Sequence, residues 1–78
     1  MLKKEKKLII TYHTSNMAFA TEKVCKENGV KGELISAPRK LSSDCGVSYA
    51  TDIENKAKIE ELFKEYKIEF EKMVELEV

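Results

Sequence analysis

The run Leu8-Ile9-Ile10-Thr11-Tyr12-His13 constrains the fold more than any other stretch of this chain. It is β-branched and aromatic and apolar on both faces, which predicts a strand in the interior of a sheet. Thr14-Ser15-Asn16 then offers several helix N-caps. From Met17 to Asn28 the apolar spacing becomes helical. Met17, Ala20, Thr21 and Val24 share one face, flanked by Ala18 and Cys25, while Glu22, Lys23, Lys26 and Glu27 point outward. Phe19 falls on the polar side, which suits an aromatic packed against a neighbouring loop or a surface for a partner. Gly29 stands where a C-cap glycine belongs.

Gly32 to Ala37 reads as a second strand, stopped by Pro38. Gly46-Val47-Ser48-Tyr49-Ala50 alternates as a third. Thr51-Asp52-Ile53-Glu54 has the form of a capping box and predicts the start of a second helix. That helix would turn Ile53, Ala57, Ile59, Leu62, Phe63 and Tyr66 to the core and end at Lys67. Ile68, Phe70, Val74 and Leu76 would then line one face of a final strand. The order β-α-β-β-α-β predicts a ferredoxin-like α+β domain. Its four-stranded antiparallel sheet, in the order 4-1-3-2, would carry two helices on one face.

At 78 residues there is room for one core. Residues 8–78 form the expected single domain, preceded by a lysine-rich stretch, 1–7, that serves as a tail or a strand extension. Fourteen basic and fourteen acidic residues cancel, so no strong field draws the chain to nucleic acid or to a membrane. No apolar run is long enough for a membrane span or a signal peptide, and the expected location is cytoplasmic. Cys25 and Cys45 with a single histidine, His13, do not make a closed metal site, and no cofactor is expected.

The chemistry concentrates in Pro38-Arg39-Lys40-Leu41-Ser42-Ser43-Asp44-Cys45-Gly46, a polar, partly cationic turn that ends in a cysteine backed by glycine. In the expected topology strand 1 ends, helix 1 begins and strand 3 starts at one edge of the sheet. His13, the helix N-terminus, Arg39 and Cys45 would gather there, and each positive group favours a thiolate. Asp44 opposes this, because an adjacent carboxylate raises a thiol pKa. A cysteine at the start of a strand is often just a small buried residue. Ser42 and Ser43 are turn formers that can also donate to a sulfur anion. Cys25 lies ten residues into helix 1, about 15 Å from that edge. It reads as a buried hydrophobe. A metal chaperone would need cysteines in the strand 1–helix 1 turn, and an RNA-binding sheet would need basic and aromatic residues on strand 3. Neither pattern is present.

The pattern Tyr12-His13-Thr14-Ser15, Ala18, Glu22-Lys23, Pro38-Arg39, Leu41-Ser42-Ser43 and Cys45-Gly46 resembles the family of small proteins designated DUF3343, described as selenium or sulfur carrier-like. The resemblance spans about residues 8 to 76, and its specific part is Pro-Arg…Ser-Ser-x-Cys-Gly. It implies a stoichiometric carrier, rather than a turnover enzyme, that holds a persulfide or selenopersulfide on Cys45. Arg39 and Gly46 would support that thiol, with Ser43 and His13 nearby. A cysteine desulfurase or proteins of selenium metabolism would be its partners, and a homodimer is compatible. Asp44 stands where serine or glycine is usual, and Cys25 inherits no role. The competing reading is a non-catalytic module that binds a small anion or a partner through the same loop.

Overall fold

The computed structural model describes residues 6–38, 41 and 46–77. Strand β1 spans Lys6–Thr11, helix α1 Ser15–Glu27, β2 Gly32–Ser36, β3 Val47–Asp52, α2 Lys56–Tyr66 and β4 Lys72–Glu77, with a 3-10 turn over Ile53–Asn55 before α2. The strands form one antiparallel sheet in the order β2-β3-β1-β4. This is the ferredoxin-like α+β arrangement that the element order predicts, and β1 is an interior strand.

The two faces of β1 have different fates. Leu8, Ile10 and Tyr12 join Ala18, Val24 and Cys25 of α1, Ile59, Leu62 and Phe63 of α2 and Tyr49 of β3 in one buried cluster. Burying each large apolar side chain contributes about 1.5–3 kcal/mol before entropy is subtracted. Ile9 lies opposite Ala50 and Val74 on the side away from the helices, and it too is buried. Both helices therefore cover the same face of the sheet. On α1 the buried stripe is Ala18, Thr21, Val24 and Cys25, with Met17 and Ala20 at its margin. The predicted stripe was centred one residue away.

Both helices end in the same way. After α1, Gly29 takes φ +75°, and the Val30 N–H donates to Cys25 O over 2.8 Å, which folds Val30 into the core. After α2, Lys67 takes φ +56°, and the Ile68 N–H donates to Phe63 O over 3.0 Å, which buries Ile68. Each is a left-handed residue followed by a six-to-one bond, the Schellman pattern.

The start of α2 corrects the capping-box expectation. Thr51 and Asp52 belong to β3, and α2 begins only at Lys56. The Thr51 hydroxyl is taken up elsewhere. It donates to Lys31 O over 2.6 Å and accepts from Asn55 Nδ2 over 3.0 Å. Ala57 and Tyr66, assigned to the core from sequence, are exposed, because Ile59, Leu62 and Phe63 already fill the contact with the sheet.

The final strand is also revised. Ile68 is buried ahead of the strand, and the Phe70 ring packs at 5.2 Å on Phe63, on the helix side. Within β4, Met73 lies opposite Ile10 and joins the core, whereas Val74 and Leu76 lie opposite Ile9 and Lys7. A bend at Glu71 shifts the alternation between Phe70 and Val74. Thr11 anchors that bend. Its carbonyl accepts from the Glu71 N–H at 2.7 Å, and its hydroxyl accepts from the Lys72 N–H at 3.1 Å and donates to Glu71 Oε1 at 3.3 Å.

Candidate functional site

The site is defined by where the strands stop. Thr11, the last residue of β1, is paired with Ser48, and Ser36, the last residue of β2, is paired with Val47. The end of β1, the start of α1, the end of β2 and the start of β3 therefore lie at one edge of the sheet. His13 sits there, exposed, two residues beyond β1. Thr14 precedes α1 in an extended conformation and makes no side-chain cap bond, and the first helical turn carries no acidic residue. The positive end of the α1 dipole is thus not offset by a carboxylate from its own first turn.

The base of the β2–β3 connection is closed by one bond, in which the Ala37 N–H donates to Gly46 O over 3.0 Å. Just inside it, the Leu41 N–H donates to Pro38 O over 2.9 Å. Gly46 is exposed with φ +73°, and a Cβ placed there would meet nothing within 4 Å. Its glycine is required by backbone conformation, not by space. Of the sequence-predicted site residues, His13 and Gly46 are at this edge. Cys45, Arg39 and Ser43 lie outside the described residues, as do Lys40, Ser42 and Asp44.

Cys25 is held elsewhere, about 15 Å along α1 from its start. Its thiol is free and fully buried. Burial pushes the thiol up from its ordinary value of 9.0, and a hydrogen bond with the Tyr49 hydroxyl opposes the rise. Tyr49 is raised as well, first by burial and then by its bond to Cys25, with Glu22 adding to the effect. This cysteine is a core residue with a protonated thiol at neutral pH.

Sequence reasoning missed the Tyr49 contact. Tyr49 reaches Cys25 past Gly32, where an added Cβ would collide with the Tyr49 hydroxyl and lie 2.8 Å from Ala50 O. A glycine at the start of a strand was the available signal, since it often marks close approach by another group. Ser48 was missed too. Its hydroxyl is buried without a hydrogen-bond partner among the described residues, on the strand that leads away from Gly46.

Among the described residues, no group of three or more histidine, cysteine and carboxylate side chains could hold a metal ion. Among them, too, no helix is long and apolar enough to cross a membrane. What the edge offers, among the described residues, is the bonded foot of the β2–β3 connection, the start of α1 and the exposed His13. The fold defines a small α+β domain with two helices on one face of a four-stranded antiparallel sheet. The chain belongs to the family described as "Putative Se/S carrier protein-like", whose model matches residues 7–75. No curated protein and no solved structure matches it significantly.

Proposed function

We propose that this chain carries sulfane sulfur or selenium on Cys45, as a persulfide or selenopersulfide, and delivers it to an acceptor protein. Family membership supports the carrier role. The observation that supports Cys45 as the carrying thiol is the sequestration of the other cysteine, since Cys25 is fully buried and bonded to Tyr49. A thiol in that state is neither reachable nor nucleophilic.

The Cys45 thiolate attacks the outer sulfur of a donor persulfide. The donor's S–S bond breaks as the bond from Cys45 to that sulfur forms, and the donor leaves as a thiolate. No net oxidation occurs, and the charge moves from one sulfur to the other. An acceptor nucleophile later attacks the terminal sulfur and restores the Cys45 thiolate. The selenium case follows the same steps. A helix N-terminus, Arg39 and a hydroxyl of Ser43 or Ser42 would favour the anionic states, with His13 as the nearest imidazole in sequence order. A cysteine desulfurase or a selenium-metabolism protein fits the role of donor.

Mass spectrometry after incubation with a cysteine desulfurase and cysteine tests this reading. Added sulfur should appear on Cys45 in the parent chain and in Cys25→Ser, and should vanish in Cys45→Ser. Loading on Cys25, or on neither cysteine, rejects the carrier assignment. Partner binding that survives Cys45→Ser, without any loading of the parent chain, would favour the binding-module reading instead.

A further inference from the structure

Among the described residues the exposed large apolar side chains are Phe19, Tyr66 and Phe70. All three lie toward the edge that carries His13 and Gly46. Phe19 is in the second turn of α1, which starts at that edge, Tyr66 ends α2, and Phe70 stands just ahead of β4. The opposite edge presents Lys6, Lys31, Asp52 and Glu77 to solvent instead. Phe70 is held in place from behind. Its ring packs at 5.2 Å on Phe63, and Phe63 packs at 6.5 Å on Tyr12 of the core, yet Phe70 remains 39% exposed. A ring fixed in this way has little freedom left to lose when a partner covers it.

The register of the sheet gives the separation of Phe70 from the β2–β3 connection. Thr11 is paired with Ser48 of β3 on one side and with Lys72 of β4 on the other. Gly46, His13 and Phe70 each stand two residues beyond that row, on three neighbouring strands in the order β3, β1, β4. Two strand spacings amount to about 10 Å. The foot of the connection and the Phe70 ring are therefore close neighbours on one surface, with His13 between them.

We propose that Phe70, seconded by Tyr66, anchors the protein that loads Cys45, a donor with an apolar pocket beside its own persulfide. The inference rests on the reading of Cys45 as the carrying thiol. Sulfur passes only when the two sulfur atoms meet, so a protein donor must cover the edge from which the β2–β3 connection leaves. A standard interface takes about 800 Å² from each partner, a disc of about 16 Å radius. Centred on the foot of the connection, such a disc takes in Phe70. Aromatic side chains near the centre of a patch supply much of its binding energy, and a polar rim surrounds them. Glu65, Lys67, Glu69 and Lys72 supply that rim here, exposed and of both signs, so the anchor is apolar and not a steering charge. A small sulfur donor needs none of this surface.

Loading rates from two donors test the proposal. A cysteine desulfurase with cysteine presents a protein-bound persulfide. Inorganic polysulfide offers the same sulfur without a protein, its S–S bond breaking and a shorter polysulfide leaving as Cys45 takes the sulfur. Phe70→Ser should slow loading by the desulfurase by at least about tenfold, and Tyr66→Ser should slow it less. Polysulfide should load both variants at the parent's rate, and both should keep the native circular dichroism. Tyr66→Ser, at an exposed helix end, decides the matter if Phe70→Ser fails to fold. Equal slowing with both donors overturns the proposal, because the ring would then act on the thiol and not on the partner. Unchanged loading by the desulfurase overturns it too, and in both cases the carrier reading stands. A parent chain that takes no sulfur from the desulfurase rejects the carrier reading itself, and this inference with it.

Discussion

At the scale of single residues, the contact among Gly32, Tyr49 and Cys25 carries the most consequence. It holds a tyrosine hydroxyl and a thiol together in the core, and it depends on a glycine having no side chain. Both groups have raised pKa values in the folded chain. When the folded pKa exceeds the unfolded one, the stabilisation is complete below the unfolded value and is lost as pH rises toward the folded one. For Cys25 that loss begins near its ordinary value of 9.0. Thermal unfolding followed from neutral pH into the alkaline range should show the midpoint falling above about pH 9. Cys25→Ala should flatten the early part of that fall. An identical alkaline slope in the variant would mean that the thiol does not contribute.

Legibility at this scale was uneven. The burial of Cys25 was readable, because its place beside an apolar helical stripe fixes its face. Its bond to Tyr49 was not readable, because it joins residues brought together only when β3 enters the sheet.

At the scale of elements, helix ends were easier to read than helix starts. Gly29 and Lys67 end their helices through backbone geometry that is local to a few residues. The start of α2 was misread because Thr51 has two competing uses. In isolation it is the first residue of a capping box. In the folded chain β3 extends through it, and its hydroxyl ties Lys31 to Asn55. The two roles make opposite predictions. If Thr51 links the strands to the 3-10 turn, Thr51→Val should cost about 1–2 kcal/mol, because it leaves a carbonyl and an amide without their partner. Glu54→Ala, at an exposed position, should then change stability by less than about 0.5 kcal/mol. Urea unfolding of the two variants distinguishes the cases. A large loss in Glu54→Ala would reinstate the capping box. The final strand failed for a related reason. The alternation from Ile68 to Leu76 looks continuous in sequence, but the bend pinned by Thr11 lies inside it.

At the scale of the whole molecule, strand order was the most legible property. Once two helices and four strands alternate as they do here, short connections and right-handed crossovers leave few arrangements. That same topology brings His13, the start of α1 and Gly46 to one edge, so the placement of these two candidate site residues follows from element order alone. The remainder rests on side chains of the 38–45 connection, whose arrangement no periodicity encodes.

The bond from the Ala37 N–H to Gly46 O has a consequence for how this domain can change. It clamps β2 to β3 at the foot of the connection, so the sheet ends in a complete ladder whatever lies beyond it. The pairing of the described strands is complete at that bond, and the segment between can be tested apart from it. Doubling its length with glycine and serine ahead of Arg39 should cost only about 0.6 kcal/mol in loop closure. Chemical denaturation should therefore find the lengthened chain nearly as stable as the parent, and a cooperative collapse of the fold would show the loop to be part of the core. A scaffold of this kind lets the length and charge of the 38–45 segment change without refolding the protein around each new version.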